Sequence, residues 1–342
     1  MILNNPIHKK YLELWLKTLI ILIFFMILVG GLTRLTDSGL SITKWELFSG
    51  ILPPLNNEQW DKYFLLYKNT TQFAVLNPSM TIGEFKIIFY WEYFHRMLAR
   101  LIGIFFLIPL IYLHYTNKIE KKYIIPCYLI LALIILQGIV GWYMVKSGLV
   151  DAITVSHYRL SLHLSIAFVI ISSIFWLILN LKENNSVKFF GFSKKNISIL
   201  FLLFLIFSQI ILGAFVSGLD AGKIYQTWPL MNNYFFPDDL SFDNLIFSEI
   251  FNEASFVQFI HRKLAYIIFI YVLAMSFFIF YKKEKNMYNS IYFLLLMIFI
   301  QIALGIFTLL SGAHIWIASL HQISTIFLLI SSIYFYYKSL KS

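Results

Sequence analysis

Charge is scarce in this chain. Only 13% of its 342 residues are Asp, Glu, Lys or Arg, against about 25% in ordinary soluble domains. That shortage excludes a soluble globular protein before any motif is considered. Cysteine is scarcer still: Cys127 stands alone, within or at the edge of an apolar run. A lone thiol excludes an intrachain disulfide, and zinc or iron–sulfur sites need several thiolates or a denser ligand cluster. No aromatic-interleaved basic stripe accompanies the net charge of +10, so nucleic acid is not an expected partner. Met1 to Lys10 lacks an arginine-rich amphipathic stretch, so no mitochondrial transit peptide is expected. The first apolar run has no clear small-residue cleavage site and is read as a retained helix. The expected location is a bacterial inner (plasma) membrane, crossed several times.

Apolar length is abundant. Hydrophobic residues make up 59% of the chain and aromatics 19%, with a mean hydropathy of +0.76. A spanning helix needs roughly 20 mostly apolar residues. Suitable runs lie near 13–33, 87–114, 123–145, 157–181, 196–217, 255–281, 288–310 and 314–337. The expected fold class is therefore an all-α membrane protein with eight transmembrane helices. Lys9 and Lys10, Lys118, Lys121 and Lys122, Lys182, Lys188, Lys194 and Lys195, Lys282, Lys283 and Lys285, and Lys338 and Lys341 all fall on one side. The positive-inside rule makes that side, and both termini, cytoplasmic. The long loops near 34–86 and 218–254 are then outside; the second carries Asp220, Asp238, Asp239, Asp243, Glu249 and Glu253 against Lys223.

The chain repeats itself. Three odd-numbered spans place a glutamine four residues before a glycine, at Gln137/Gly141, Gln209/Gly213 and Gln301/Gly305, and the first span has Met26/Gly30 there. Small residues permit close helix approach and homo-oligomerisation, which accounts for the glycines but not the glutamines. The even spans repeat too: Glu92-Tyr-Phe-His95-Arg96 is answered by Gln258-Phe-Ile-His261-Arg262. Two duplicated four-helix bundles are expected, over 1–185 and 190–342, in the same orientation because each has an even number of spans.

His95, His163, His261 and His321 fall one apiece in the even spans, each one to two turns from the outer end. A single intramembrane histidine is commonly a core residue satisfied by a hydrogen bond. Four in register across a duplication point to function. Two facing imidazoles in a helical bundle can supply both axial ligands of a heme. Imidazole also suits copper and zinc, but no thiolate or carboxylate set completes a tetrahedron, so heme fits best. The expected pairs are His95 with His163 and His261 with His321. His157, in Ser156-His157-Tyr158-Arg159, is a weaker candidate for substrate or propionate binding; His8 and His114 read as interfacial, and His314, at the start of the eighth span, reads as a surface residue with contact to a heme edge as the alternative. Arg34, Arg96, Arg159 and Arg262 are candidates for heme propionates, since guanidinium suits carboxylates. Glu92 lies one turn from His95 on the same face and has Gln258 as its counterpart. It reads either as an ion-pair partner of Arg96 or Arg100, or as a carboxyl that moves protons or steers a reacting group. No partner for Arg100 is evident.

Taken in order, Gly30-Gly-Leu-Thr-Arg-Leu-Thr-Asp-Ser-Gly-Leu-Ser41, Glu92-Tyr-Phe-His-Arg96, Gln137-Gly-Ile-Val-Gly-Trp142, Val145-Lys-Ser-Gly-Leu149, Ser156-His-Tyr-Arg159, Gly218-Leu-Asp-Ala-Gly222, Thr227-Trp-Pro-Leu-Met231 and Gln258-Phe-Ile-His-Arg262 resemble the heme A synthase family, in its alphaproteobacterial and mitochondrial branch. The resemblance runs over nearly the whole chain. It implies oxidation of the position-8 methyl of heme O to a formyl group by successive hydroxylations, giving heme A for cytochrome oxidase. It implies that Glu92, His95 and His163 serve the substrate, and that His261, His321 and Arg262 hold a heme b cofactor. Heme O synthase, cytochrome oxidase assembly factors, membrane lipid and an unidentified electron donor are the implied partners. The outer-loop cysteine pair of many bacterial members is absent, so no redox role of that pair applies. A di-heme cytochrome b and a non-catalytic heme carrier are the rival readings. A prenyltransferase is disfavoured because no paired aspartate-rich motif occurs in a membrane-adjacent loop.

Overall fold

Long apolar runs have few solutions in lipid. A helix pairs every interior backbone N–H and C=O within the segment. The computed structural model describes residues 6–44, 49–150, 152–183, 187–240 and 249–341. Among them eight helices are long and apolar enough to cross a membrane. They are α1 (Pro6–Leu35), α4 (Ile82–Tyr115), α5 (Lys121–Gly148), α6 (His157–Lys182), α7 (Lys194–Gly218), α8 (Ala254–Tyr281), α9 (Tyr288–Leu310) and α10 (Ile315–Ser339). Asp243 of the acidic loop and the expected boundary at 185 lie outside the described residues, as does the side chain of His8.

The spans fall where hydropathy puts them, but their ends are set by caps. The run expected from 87 begins at Ile82 because Thr81 and Glu84 form a capping box. The Thr81 hydroxyl accepts from the Glu84 N–H at 3.3 Å, and the Thr81 N–H donates to Glu84 Oε2 at 2.8 Å. Two orphan donors are thereby satisfied, and the helix gains more than a turn beyond the apolar run.

The first long loop is itself folded. It contains α2 (Asn57–Lys68) and α3 (Thr71–Leu76), neither signalled by hydropathy. Asn56 Oδ1 accepts from the Gln59 N–H at 2.9 Å and starts α2. Trp60, Phe64 and Tyr67 then fall on one face at helical spacing and are buried against Phe85 and Phe89 of α4. Tyr67 stacks on Phe85 with ring centres 5.3 Å apart, and Trp60 meets Phe89 edge-on at 5.0 Å. Burying such side chains stabilises by about 1.5–3 kcal/mol each, enough to fix the loop on the N-terminal turns of α4.

Two compact units are distinguished, Met1–Ile170 and Ile171–Ser342. The division falls inside α6, earlier than the loop that the sequence suggests. The C-terminal half of α6 explains this: Trp176 packs on Tyr337 with ring centres 5.1 Å apart, and the Tyr337 hydroxyl donates to Asn180 Oδ1 at 3.2 Å. In the first unit α1 packs on α4 and α4 on α5; in the second α7 packs on α8, α8 on α9 and α9 on α10.

Candidate functional site

Each expected histidine meets a glycine on a neighbouring helix. A Cβ built on Gly30 of α1 would stand 2.9 Å from His95 Cε1, and one on Gly141 of α5 2.8 Å from His163 Cε1. In the second unit the same test gives 3.2 Å from Gly213 to His261 and 3.0 Å from Gly305 to His321. These contacts are tighter than ordinary van der Waals packing, so each glycine makes room for an imidazole to lie on the helix backbone. Close helix approach, the reading suggested by sequence, is thus only part of their role.

The glutamines have a matching explanation. Gln209 Nε2 donates to the His261 backbone carbonyl at 2.9 Å, and Gln301 Nε2 to that of His321 at 3.1 Å. The His163 ring interacts with the backbone carbonyl of Gln137, as the His321 ring does with that of Gln301. The repeated word is a histidine cradle in which glycine receives the ring and glutamine braces the strand of helix that bears it.

His95 and His163 have ring centres 6.4 Å apart, with planes inclined at 54°. Two metal–imidazole bonds of about 2 Å each, in line, leave ring centres roughly 6 Å apart. The pair therefore fits one iron between two imidazoles. Nδ1 of His95 and of His261 is buried without a hydrogen-bond partner. Among the described residues no group of three or more His, Cys, Asp or Glu could hold a metal ion. The donor set thus suits bis-imidazole heme ligation rather than a tetrahedral site.

Glu92, one turn before His95, and Arg96, the residue after it, clamp the loop that follows α1. Glu92 Oε2 accepts from the Ser41 hydroxyl and the Ile42 N–H, both at 2.8 Å. Its Oε1 accepts from Arg96 Nε at 3.1 Å, and Arg96 Nη2 donates to the Ile42 carbonyl at 2.9 Å. Glu92 is 2% exposed. The ion-pair reading of Glu92 is thus realised through Arg96, while Arg100 donates to the Gly50 carbonyl and meets the Met97 sulfur, each at 3.4 Å.

The second unit repeats the clamp with different chemistry. Gln258 Nε2 donates to the Tyr225 carbonyl at 3.0 Å. Arg262 donates to the carbonyls of Tyr225 at 2.8 Å, Thr227 at 2.9 Å and Leu230 at 3.3 Å. Gln258 Oε1 and Arg262 Nε remain buried and unpartnered, whereas their counterparts in the first unit bond each other. The fork of Arg262 is engaged by the loop, which leaves Nε as its available buried donor.

The other candidates are dispersed. Arg34 pairs with Asp37 at 2.9 Å, and Arg159 donates to the Ser147 hydroxyl at 2.6 Å while lying over the Tyr143 ring. His157 packs on Tyr158 with ring centres 4.1 Å apart, and His114 shares a 2.7 Å hydrogen bond with the Tyr128 hydroxyl. His314 is the N-cap residue of α10, and Cys127 is buried.

The family model described as cytochrome oxidase assembly protein matches residues 13–333. A protein named heme A synthase from Pelagibacter ubique is 48% identical over 99% of this chain and 99% of its own. Proteins of the same name from Rickettsia bellii and Bartonella quintana are 40% and 38% identical, over 94% of this chain in both cases and 96% and 92% of their own lengths.

Proposed function

The chain belongs to the cytochrome oxidase assembly protein family, and we propose from that premise that it is a heme A synthase, a multi-pass membrane enzyme with heme O as substrate and heme A as product. The position-8 methyl of heme O is hydroxylated twice, and the resulting gem-diol loses water to leave a formyl group. The observation that carries this reading is the His95–His163 pair, spaced at 6.4 Å for a single iron and seated on two glycines.

His95 and His163 hold the substrate heme O in the unit 1–185, and His261 and His321 hold a resident heme b in the unit 190–342. When bound, heme b supplies reversible one-electron chemistry. The buried Nε of Arg262 is a donor that a heme carboxylate would satisfy. Glu92 lies one turn from His95, and its carboxylate anchors the loop from Ser41 beside the substrate histidine. Its further role is to steer the reacting edge or take up a proton there, which the amide of Gln258 cannot do. The enzyme sits in a bacterial inner membrane with both termini cytoplasmic. It receives heme O from heme O synthase and passes heme A to cytochrome oxidase assembly factors.

The test is extraction of heme from membranes of a heme O-producing host with and without this chain, followed by chromatography and mass analysis. Conversion of heme O to heme A is expected only with the chain. Bound heme b with heme O left unchanged, where a known synthase works, would replace this reading by simple electron transfer.

A further inference from the structure

The four histidine cradles are braced unequally. His321 is held most firmly: Gln301 Nε2 donates to its carbonyl, and the hydroxyls of Ser324 and Thr325 donate to the same carbonyl at 3.0 Å each. Gln301 Nε2 also donates to the Thr325 hydroxyl at 2.8 Å, closing the network. His261 has one brace, the amide of Gln209. In the first unit Ile166 and Ala167 follow His163 where Ser324 and Thr325 follow His321. Neither can donate from a side chain, so His163 has the interaction of its ring with the Gln137 carbonyl, which His321 shares with Gln301, without the hydroxyl braces of His321.

His95 has least of all. Met26 stands four residues before Gly30, the register in which Gln209 precedes Gly213. A thioether has no proton to donate, so it cannot make the bond that Gln209 makes to His261. Both histidines have a loop clamp beside them, Glu92 and Arg96 at His95 and Gln258 and Arg262 at His261, and although the clamps differ in chemistry neither bonds the histidine's own carbonyl. The difference therefore lies at Met26 itself. Nδ1 is buried without a partner in His95, His163 and His261 alike, but the His261 ring also has the Gln209 amide 3.3 Å from its Nε2, a neighbour that Met26 cannot supply to His95.

We propose that Met26 is a positioning residue that leaves His95 unlatched, making His95 the exchangeable axial ligand of the first-unit heme while the glutamine-braced histidines of the second unit hold theirs permanently. The proposal rests on the reading of the histidine pairs as heme ligands. Its physical need is plain: a heme with two protein ligands has no vacant axial position. A site that must react with its heme or release it has to loosen one ligand. A site that retains its heme must not.

The test uses the full-length protein, dithionite-reduced and free of oxygen, with carbon monoxide as the probe of a vacated axial position. The first unit is read in a His261→Ala/His321→Ala background loaded with heme O. The second is read in a His95→Ala/His163→Ala background with heme b. Carbon monoxide is expected to bind the first-unit heme readily and the second slowly. Met26→Gln should slow binding in the first unit by about three- to tenfold, the worth of one hydrogen bond. Gln209→Met should speed binding in the second unit by a similar factor. The paired substitution Ile166→Ser/Ala167→Thr, which braces His163, should leave the first-unit rate unchanged. If that pair slows binding and Met26→Gln does not, His163 is the ligand that leaves and the proposal is wrong. If Met26→Gln fails to fold, an unaltered rate in Gln209→Met overturns it alone. Absence of a low-spin bis-imidazole spectrum in the unmodified protein would sink the histidine-pair reading, and the latch with it.

Discussion

In the first unit the loop after α1 is pinned to α4 by a carboxylate, and in the second the loop after α7 is pinned to α8 by an amide. Glu92 and Gln258 do the same mechanical work: each sits one turn before a histidine, is 2% exposed and bonds the loop that follows the preceding helix. An amide is therefore sufficient for the clamp. Burying a carboxylate costs more than burying an amide unless it is paired, and Arg96 is committed to that pairing. On the proposed function, the extra charge at position 92 serves chemistry rather than holding the loop.

The largest effect follows directly. Glu92→Gln keeps an oxygen that can accept from Ser41 and Ile42, so the fold and the bound heme should persist. Heme A formation should fall by about 10²–10⁴, the usual worth of a positioned acid or base. The reverse change, Gln258→Glu, should leave product formation near its original level, measured as heme A per heme O in extracts. Loss of bound heme from both units in Glu92→Gln would instead make Glu92 structural and break the comparison.

A smaller effect separates the cradles. Alanine at Gly141 would drive a methyl to 2.8 Å from His163, whereas at Gly213 it would stand 3.2 Å from His261. Overpacking typically costs about 1–3 kcal/mol, and Gly141→Ala should reach that range while Gly213→Ala costs less than about 1 kcal/mol. Heme retention during thermal melting of each variant measures the difference. Equal losses would mean that the two cradles are equally tight.

Much of this comparison is legible in the sequence, because its signals are periodic. Eight apolar runs give the spans, and the recurrence of His95, His163, His261 and His321 marks the site. What the glycines touch is not legible, since the contact joins separate helices: Gly30 and His95 are brought together only by packing of α1 on α4. The recurring glutamines stand out as a pattern, but their acceptors are backbone carbonyls, which no sequence word marks. Arg262 looks like a propionate ligand by residue type. Its three bonds to Tyr225, Thr227 and Leu230 depend on how the loop folds back. The helices α2 and α3 escape hydropathy because their apolar residues occupy one face of short, otherwise polar segments.

The smallest effect lies in the long loops after α1 and α7, where each unit buries a tyrosine. Tyr67 is fully buried and accepts from Asn77 Nδ2 at 2.8 Å, while Tyr225 is 3% exposed and donates to Asp239 Oδ1 at 2.7 Å, with Asp238 also bonded. Burial raises the pKa of both phenols above the ordinary value of 10. The carboxylates beside Tyr225 raise it further, whereas the Asn77 amide partly offsets the effect at Tyr67. The sign follows from linkage: a raised pKa means that the folded state favours the neutral phenol. This contribution is fully present below about pH 10, where the unfolded chain is also neutral. It is lost as pH rises toward the folded value. Tyr225→Phe should cost about 1 kcal/mol near neutrality, the worth of a hydrogen bond. It should also flatten the fall in melting temperature above about pH 10, and do so more than Tyr67→Phe because Tyr225 is pushed harder. Melting curves of the detergent-solubilised protein across that range decide it. Coincident alkaline limbs for Tyr225→Phe and the unmodified protein would show that the acidic pair does not hold this phenol neutral.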